Sequence, residues 1–134
     1  LIIPTSAVRD EGASYHYIEP SRDIACHPFA LETAISTLTE MGVPFTLGKT
    51  WTTDAMYRET PDMIELRRSE GCISVEMETA AFFAVSKYYD IPLVQLLYAG
   101  DDVSGSTWDS RNWNTQKSIR ANLIECSIKV IEKL

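Results

Sequence analysis

Two groups of carboxylates bracket a single apolar block in this chain. Glu76-Met77-Glu78 opens the stretch "EMETAAFFAVSKYYDIPLVQLLYAGDD", and Asp101-Asp102 closes it. Acids seldom flank buried segments without a partner, so their types and spacing ask what they hold. Three chemistries fit. The acids can be solvated side chains at strand ends. They can gather oxygens for a hard cation such as magnesium or calcium. Or a carboxylate can accept paired hydrogen bonds from the vicinal hydroxyls of a sugar. Met77, polarizable and apolar between two glutamates, suits a sugar face or a base better than a cation.

These residues need elements to place them. "CISVEM" alternates Ile73, Val75 and Met77 against Cys72, Ser74 and Glu76, the two-residue period of a strand. Thr79 to Tyr89 reads as a helix apolar almost all round, and so as a buried one. "PLVQLLYAG" is a continuous apolar run, expected as a strand covered on both faces. Strand, helix and strand from Cys72 to Gly100 then make a right-handed βαβ unit. Its two parallel strands would release both acid groups at one edge of the sheet, where open α/β folds place ligands.

The rest of the chain reads more coarsely. Leu1 to Pro4 is a short strand, and residues 7–28 form a long polar loop with possible extended pieces. Apolar residues from Leu31 to Met41 recur at helical spacing, with Pro28 at the first helical position and Gly42 at the stop. "PFTLGKTWTTD" gives one or two short strands. Thr60 caps a short helix that begins at Pro61 and stops at Gly71. After a Trp-rich loop, Ile119, Leu123, Cys126, Val130 and Leu134 form the stripe of a last helix.

Composition narrows the function classes. At 134 residues, 45% hydrophobic and 23% charged, the chain reads as a single soluble α/β domain over residues 1–134. A net charge of −7 repels polyanions and argues against nucleic-acid binding. No apolar run approaches the roughly 18 residues of a membrane span. Cys26, Cys72 and Cys126 are odd in number and lack CxxC spacing, which suits a reducing cytoplasm better than a disulfide scaffold or zinc ribbon. His16 and His27 lie too far apart in sequence to suggest a metal site. The chain opens on "LIIPTSAV" without Met, as though in mid-strand, so an N-terminally truncated polypeptide is expected.

The acid motif has a wider context. "SVEMETAAFFAV" followed by "GDD", preceded by "TWTTDAMYRE" and by "AVRDEGASYHYIEP", resembles the nucleoside phosphorylase superfamily of purine nucleoside and uridine phosphorylases and related nucleosidases. The four segments occur in the family's order and span nearly the whole chain. The resemblance implies the C-terminal half of a three-layer fold, a central mixed sheet flanked by helices. It implies that Glu76, Met77 and Glu78 bind ribose, with Glu78 on the 2′- and 3′-hydroxyls and Glu76 in support. It implies that Asp101 is the general acid for the departing base, although Gly100 stands where the family usually has Ser. Met56 and Tyr57 fall at the aromatic pair that flanks base and sugar, the first position departing from the pattern. Arg111 and Asp102 are candidates for support, Asp102 also being the fallback acid if the register is off by one.

The implied reaction is cleavage of the N-glycosidic bond with inorganic phosphate as co-substrate and with no cofactor or metal. Thr60 and Asp62 stand where uridine phosphorylases carry Gln and Arg, so the lean is to purine, with Arg58 close enough to compensate. The family's phosphate seat, a Gly-rich loop with arginines, has no counterpart among the six scattered glycines. Low phosphorolytic activity of the chain by itself is therefore expected, as is a homo-oligomer, dimer or hexamer. A uridine phosphorylase, a nucleosidase using water and a nucleoside-binding fragment without chemistry are the other readings of the same motif.

Overall fold

The computed structural model describes residues 1–105 and 107–134. Its framework is a four-stranded sheet in the order β2-β1-β3-β4, with β1 at Ile2–Asp10, β2 at Asp23–Ala25, β3 at Thr46–Thr53 and β4 at Cys72–Glu76. β1, β3 and β4 run parallel, and β2 pairs antiparallel with β1, so the sheet is mixed. Helix α1, Pro28–Glu40, crosses from β2 to β3, and α2, Pro61–Ser69, crosses from β3 to β4. Helix α3, Thr79–Tyr89, follows β4, and α4, Lys117–Ile131, ends the fold.

Adjacent residues of β1 show how the layers arise. Ala7 packs with Ala80, Phe83 and Ala84 of α3, whereas Val8 packs with Trp51, Met63 and Ile64. Successive strand residues point to opposite faces, so α3 and α2 cover opposite sides of the sheet. A third apolar group joins Ile3 of β1 to Ala34 and Leu38 of α1 and to Cys126 and Val130 of α4. Helix boundaries follow the local signals. Pro28 is the first residue of α1, the His27 ring accepts from Ala30 N, and Gly42 at φ 67° takes the left-handed turn after it. Thr60 does precede α2, but its hydroxyl makes no capping bond there.

The long polar loop expected over residues 7–28 is a correction. β1 runs on to Asp10, a 3-10 turn occupies Ala13–His16, and β2 follows. The polar residues misled because their polarity is consumed inside. Arg9, 2% exposed, donates to Ser14 Oγ, Ser21 Oγ and the Glu19 carbonyl, and its guanidinium lies 4.1 Å from the centre of the Tyr15 ring. A buried cation satisfied in this way can extend a strand that composition reads as loop.

A second correction concerns residues 92–100. No ladder forms there. The run makes one antiparallel bridge, Leu97 to Ile2, with both hydrogen bonds at 2.8 Å. β2 reaches β1 only at Ser6–Val8, so the outer polar groups of Ile2 are free to take Leu97. The expected parallel βαβ unit from Cys72 to Gly100 is thus absent. Helix α3 is also less enclosed than its composition implies. Phe83 and Ala84 are buried, but Phe82, Tyr88 and Tyr89 are exposed, because only one side of α3 meets the sheet. In α4, Cys126 and Val130 are buried while Ile119 is exposed, and Leu134 lies beyond the helix end.

Candidate functional site

Glu76 is the last residue of β4, and its carboxylate turns back over the start of α3. Oε2 accepts from the backbone N–H of Glu78 at 2.8 Å and of Thr79 at 2.6 Å. Oε1 accepts from Thr52 Oγ1 at 2.6 Å, and Thr52 Oγ1 in turn accepts from Ala80 N at 2.9 Å. Three backbone donors at the helix start are thereby satisfied by one acid and one buried hydroxyl. The negative charge also meets the positive end of the helix dipole. Glu76 is therefore a positioning residue. Its oxygens are engaged by the fold and set the backbone of Glu78, while the residue also lines the cleft described next.

Glu78 and Met77 project the other way. Both line an open cleft of about 1370 Å³ between the β4–α3 junction, the turn at Met56–Arg58 and the segment after Gly100. Met77 is exposed, and the Glu78 carboxylate has no hydrogen-bond partner among the described residues. Met56 and Tyr57 form another part of the wall. Tyr57 is 94% exposed, so its ring is available to the cleft and fixed by little else. Asp101 lines the same cleft. Its Oδ2 accepts from Trp108 Nε1 at 2.7 Å, which leaves Oδ1 unengaged.

Asp102 and Arg111 lie elsewhere. Asp102 exchanges backbone hydrogen bonds with Asp109 at 2.8 and 3.0 Å, and its Oδ1 accepts from Ser104 N. The Ser104 hydroxyl first, then its N–H, with Arg111 and Arg68 farther off, hold the Asp102 carboxyl below the usual carboxylate range. Asp102 thus fixes a turn and lines a smaller neighbouring cavity of about 430 Å³. The Arg111 charge acts on Asp102, and the group that engages Asp101 is Trp108, which the sequence suggested only as packing.

Two further residues of the cleft escaped the sequence reading. Arg68 on α2 reaches both cavities. Glu59, at the end of the Met56–Arg58 turn, is half-buried in the cleft wall. Burial first and the charge of Asp101 second raise its carboxyl above the ordinary range. Pro61 keeps Thr60 in extended backbone, ψ 156°, and so ends the turn, but no local pattern marks where the Glu59 side chain lies. Among the described residues the cleft presents Glu59, Asp62, Glu65, Glu76, Glu78 and Asp101 against one cation, Arg68. Its field favours a ligand that carries or develops positive charge. No helix among the described residues is long and apolar enough to cross a membrane.

Comparison with known proteins gives the arrangement its family. The family model described as the phosphorylase superfamily matches residues 1–134. A DeoD-type purine nucleoside phosphorylase of Thermoanaerobacter sp. (strain X514) is 24% identical over 102 residues, 76% of this chain and 43% of that protein. The DeoD-type enzyme of Bacillus cytotoxicus is 32% identical over 73 residues, 54% of this chain and 31% of that protein. Among solved structures, AMP nucleosidase from Bacteroides thetaiotaomicron superposes with a TM-score of 0.69 at 21% identity, covering 98% of this chain and 50% of that one. The P. knowlesi homolog of P. falciparum PNP gives 0.72 at 19% identity, covering 96% of this chain and 51% of that one. The chain thus spans less than half the length of these curated relatives and about half of these solved neighbours. A mixed sheet flanked by helices, an acid-rich cleft at the β4–α3 junction and a family match along the full length place this chain in the phosphorylase superfamily.

Proposed function

We propose that this chain provides the ribose- and base-binding side of a nucleoside phosphorylase, which cleaves the N-glycosidic bond of a purine nucleoside with phosphate. The observation that carries the reading is the single cleft shared by Glu78, Met77, Met56, Tyr57 and Asp101. Glu78, whose backbone is held by Glu76, grips the ribose 2′- and 3′-hydroxyls, and Met77 packs against the sugar. As the bond to the base stretches, positive charge grows on the ribose, and the surrounding carboxylates stabilise it. Asp101, braced by Trp108, delivers a proton toward N7 so that the base leaves neutral. Met56 and Tyr57 flank the base.

Six acids and one arginine make this cleft a poor seat for phosphate, so the anion is bound by groups outside it. The likeness to an AMP nucleosidase keeps hydrolysis as the second reading, with water in place of phosphate. Calorimetric titration with inosine, adenosine and uridine, each with and without phosphate, separates the cases. Purine nucleosides are expected to bind, and Glu78→Gln to weaken them about tenfold or more by loss of a charged acceptor. Heat from uridine alone, or no heat from any nucleoside, overturns the reading. Association into a homo-oligomer belongs to the same proposal, supported by Ile124, Ile128 and Ile131, which lie exposed along α4. A sedimentation coefficient of a monomer at micromolar concentration would remove it.

A further inference from the structure

Within that reading, Trp113 is an aromatic residue of the cleft that the proposed chemistry leaves without a task. It begins the 3-10 turn at Trp113–Thr115, and its N–H donates to the Ser110 carbonyl at 3.0 Å. The two residues before it, Arg111 at φ 47° and Asn112 at φ 51°, lie in the left-handed region, which is costly for a side chain with a Cβ. The Gln116 side-chain amide holds that kink by donating to the Arg111 carbonyl at 2.9 Å. Strain of this kind persists only where neighbours over-determine the backbone, and it concentrates at ligand sites.

Arg120 of α4 supplies a further hold. Its Nη2 donates to the Trp113 carbonyl at 2.8 Å and its Nε donates to the Tyr98 hydroxyl at 3.2 Å. The guanidinium also lies 5.5 Å from the centre of the Trp113 ring. One planar fork thus binds the chain before and after Asp101, and it grips both the backbone and the ring of Trp113. Helix α4 is itself anchored in the core by Cys126 and Val130. The held ring sits beside the proposed acid. A methyl group placed on Gly100 would meet Trp113 Cβ at 3.5 Å, Trp113 Cγ at 3.8 Å and Tyr98 Cε2 at 3.9 Å. Both aromatic residues therefore rest on the residue that precedes Asp101.

Braced in this way, Trp113 is still not buried. It is 44% exposed and lines the cleft, whereas Trp51, which serves packing, is 3% exposed. Tyr57 and Trp108 on the same side are more exposed again, so Trp113 is a fixed member of an otherwise adaptable wall. A flat apolar face fixed beside the group that protonates a base stands where the base must lie. Every base has a π-face, and an aromatic side chain accepts it without reading its edge. We propose that Trp113 is the stacking platform for the base and that Arg120, acting through it, is the positioning residue that keeps the platform in place.

The test is calorimetry and indole fluorescence with adenosine on the 134-residue chain, for the natural sequence, Trp113→Phe, Trp113→Leu, Arg120→Met, the double variant Trp113→Leu with Arg120→Met, and Glu78→Gln. Circular dichroism melts check that each variant is folded. Trp113→Leu is expected to weaken adenosine about tenfold or more, the scale of one base stacked on an aromatic ring. Trp113→Phe, which keeps a flat ring, recovers most of that loss. Arg120→Met weakens adenosine by less than Trp113→Leu, and the double variant is no weaker than Trp113→Leu alone, since a residue that acts through the ring has nothing to act on once the ring is gone. Saturating adenosine quenches the indole emission of the natural chain, and that quenching falls in Trp113→Phe although the nucleoside still binds. Unchanged quenching in Trp113→Phe, or equal affinity of the Phe and Leu variants, overturns the platform while the nucleoside reading stands. Additive losses in the double variant overturn the role of Arg120. Binding of no adenosine by the natural chain, or indifference to Glu78→Gln, removes the nucleoside reading and this inference with it.

Discussion

The two sides of the cleft are built in opposite ways. On the β4–α3 side the Glu76 carboxylate, the Thr52 hydroxyl and the first N–H groups of α3 are tied to one another. Glu76 accepts three short hydrogen bonds, and Thr50 and Thr52 beneath it are fully buried. On the opposite side, Tyr57 and Trp108 are exposed, and Asp101 is held by one bond to an indole. The first side resists displacement because moving one group leaves buried donors unpaired. The second can adjust to what enters. Under the proposed function the pentose, which varies little among nucleosides, would meet the rigid wall and the base the adaptable one.

Substitutions can break that contrast, beginning with the largest effect. Glu76→Ala strands the Thr52 hydroxyl and two N–H groups at the start of α3, and is expected to cost about 3 kcal/mol in urea unfolding. A cost below about 1 kcal/mol would show that the tied side is not structurally tight. Thr52→Val keeps the shape but removes both the bond to Glu76 and the acceptor for Ala80 N, and should cost about 2 kcal/mol by the same measurement. Trp108→Phe on the loose side should leave stability within about 0.5 kcal/mol. It should reduce turnover or base affinity, because Asp101 loses its brace. A stability loss as large as that of Thr52→Val would erase the difference between the two walls.

The smallest effect is one of pH. Glu59 has its carboxyl raised in the folded state by burial and by Asp101. Its contribution to stability is therefore fully present below the ordinary carboxylate range and is lost as pH rises through the elevated value. Melting temperatures of the natural chain and Glu59→Gln, followed upward from acid pH, should diverge in the variant's favour across that window. Parallel curves would mean that Glu59 is ordinary and solvated. Glu70 behaves with the opposite sign. Arg22 first, with help from Arg67, lowers its carboxyl, so its contribution is present above the ordinary range and fades as pH falls through the lowered value.

What could be read in the sequence and what could not divide along a physical line. The helices α1 and α2 and strand β4 carry their own punctuation in Pro28, Gly42, Pro61, Gly71 and the two-residue alternation of Cys72–Glu76. Local signals suffice where partners are near in sequence. β1 was cut short because Arg9 and Asp10 look like loop residues until their distant partners are known. Asp10 pairs with Arg22 and with Arg67, and Arg67 in turn lies 5.4 Å from the centre of the Trp51 rings. The apolar run of residues 92–100 promised a strand, but apolarity alone does not supply a neighbouring edge to bond with. Motif spacing brought Glu78 and Asp101 to attention and the cleft contains both. Spacing could not reveal the engagement of Trp108 with Asp101 or the inward turn of Glu59, since both depend on loops whose path no local pattern encodes.

One side chain at the head of α3 has a consequence for how this scaffold can change over generations. Because position 76 closes the helix and also sets the height of the rim, an altered residue there is screened for folding before its chemistry is ever exposed to selection. Innovation in what the pocket accepts is thereby channelled to the opposite bank, at Met56 and Tyr57, where a new side chain disturbs little besides solvent.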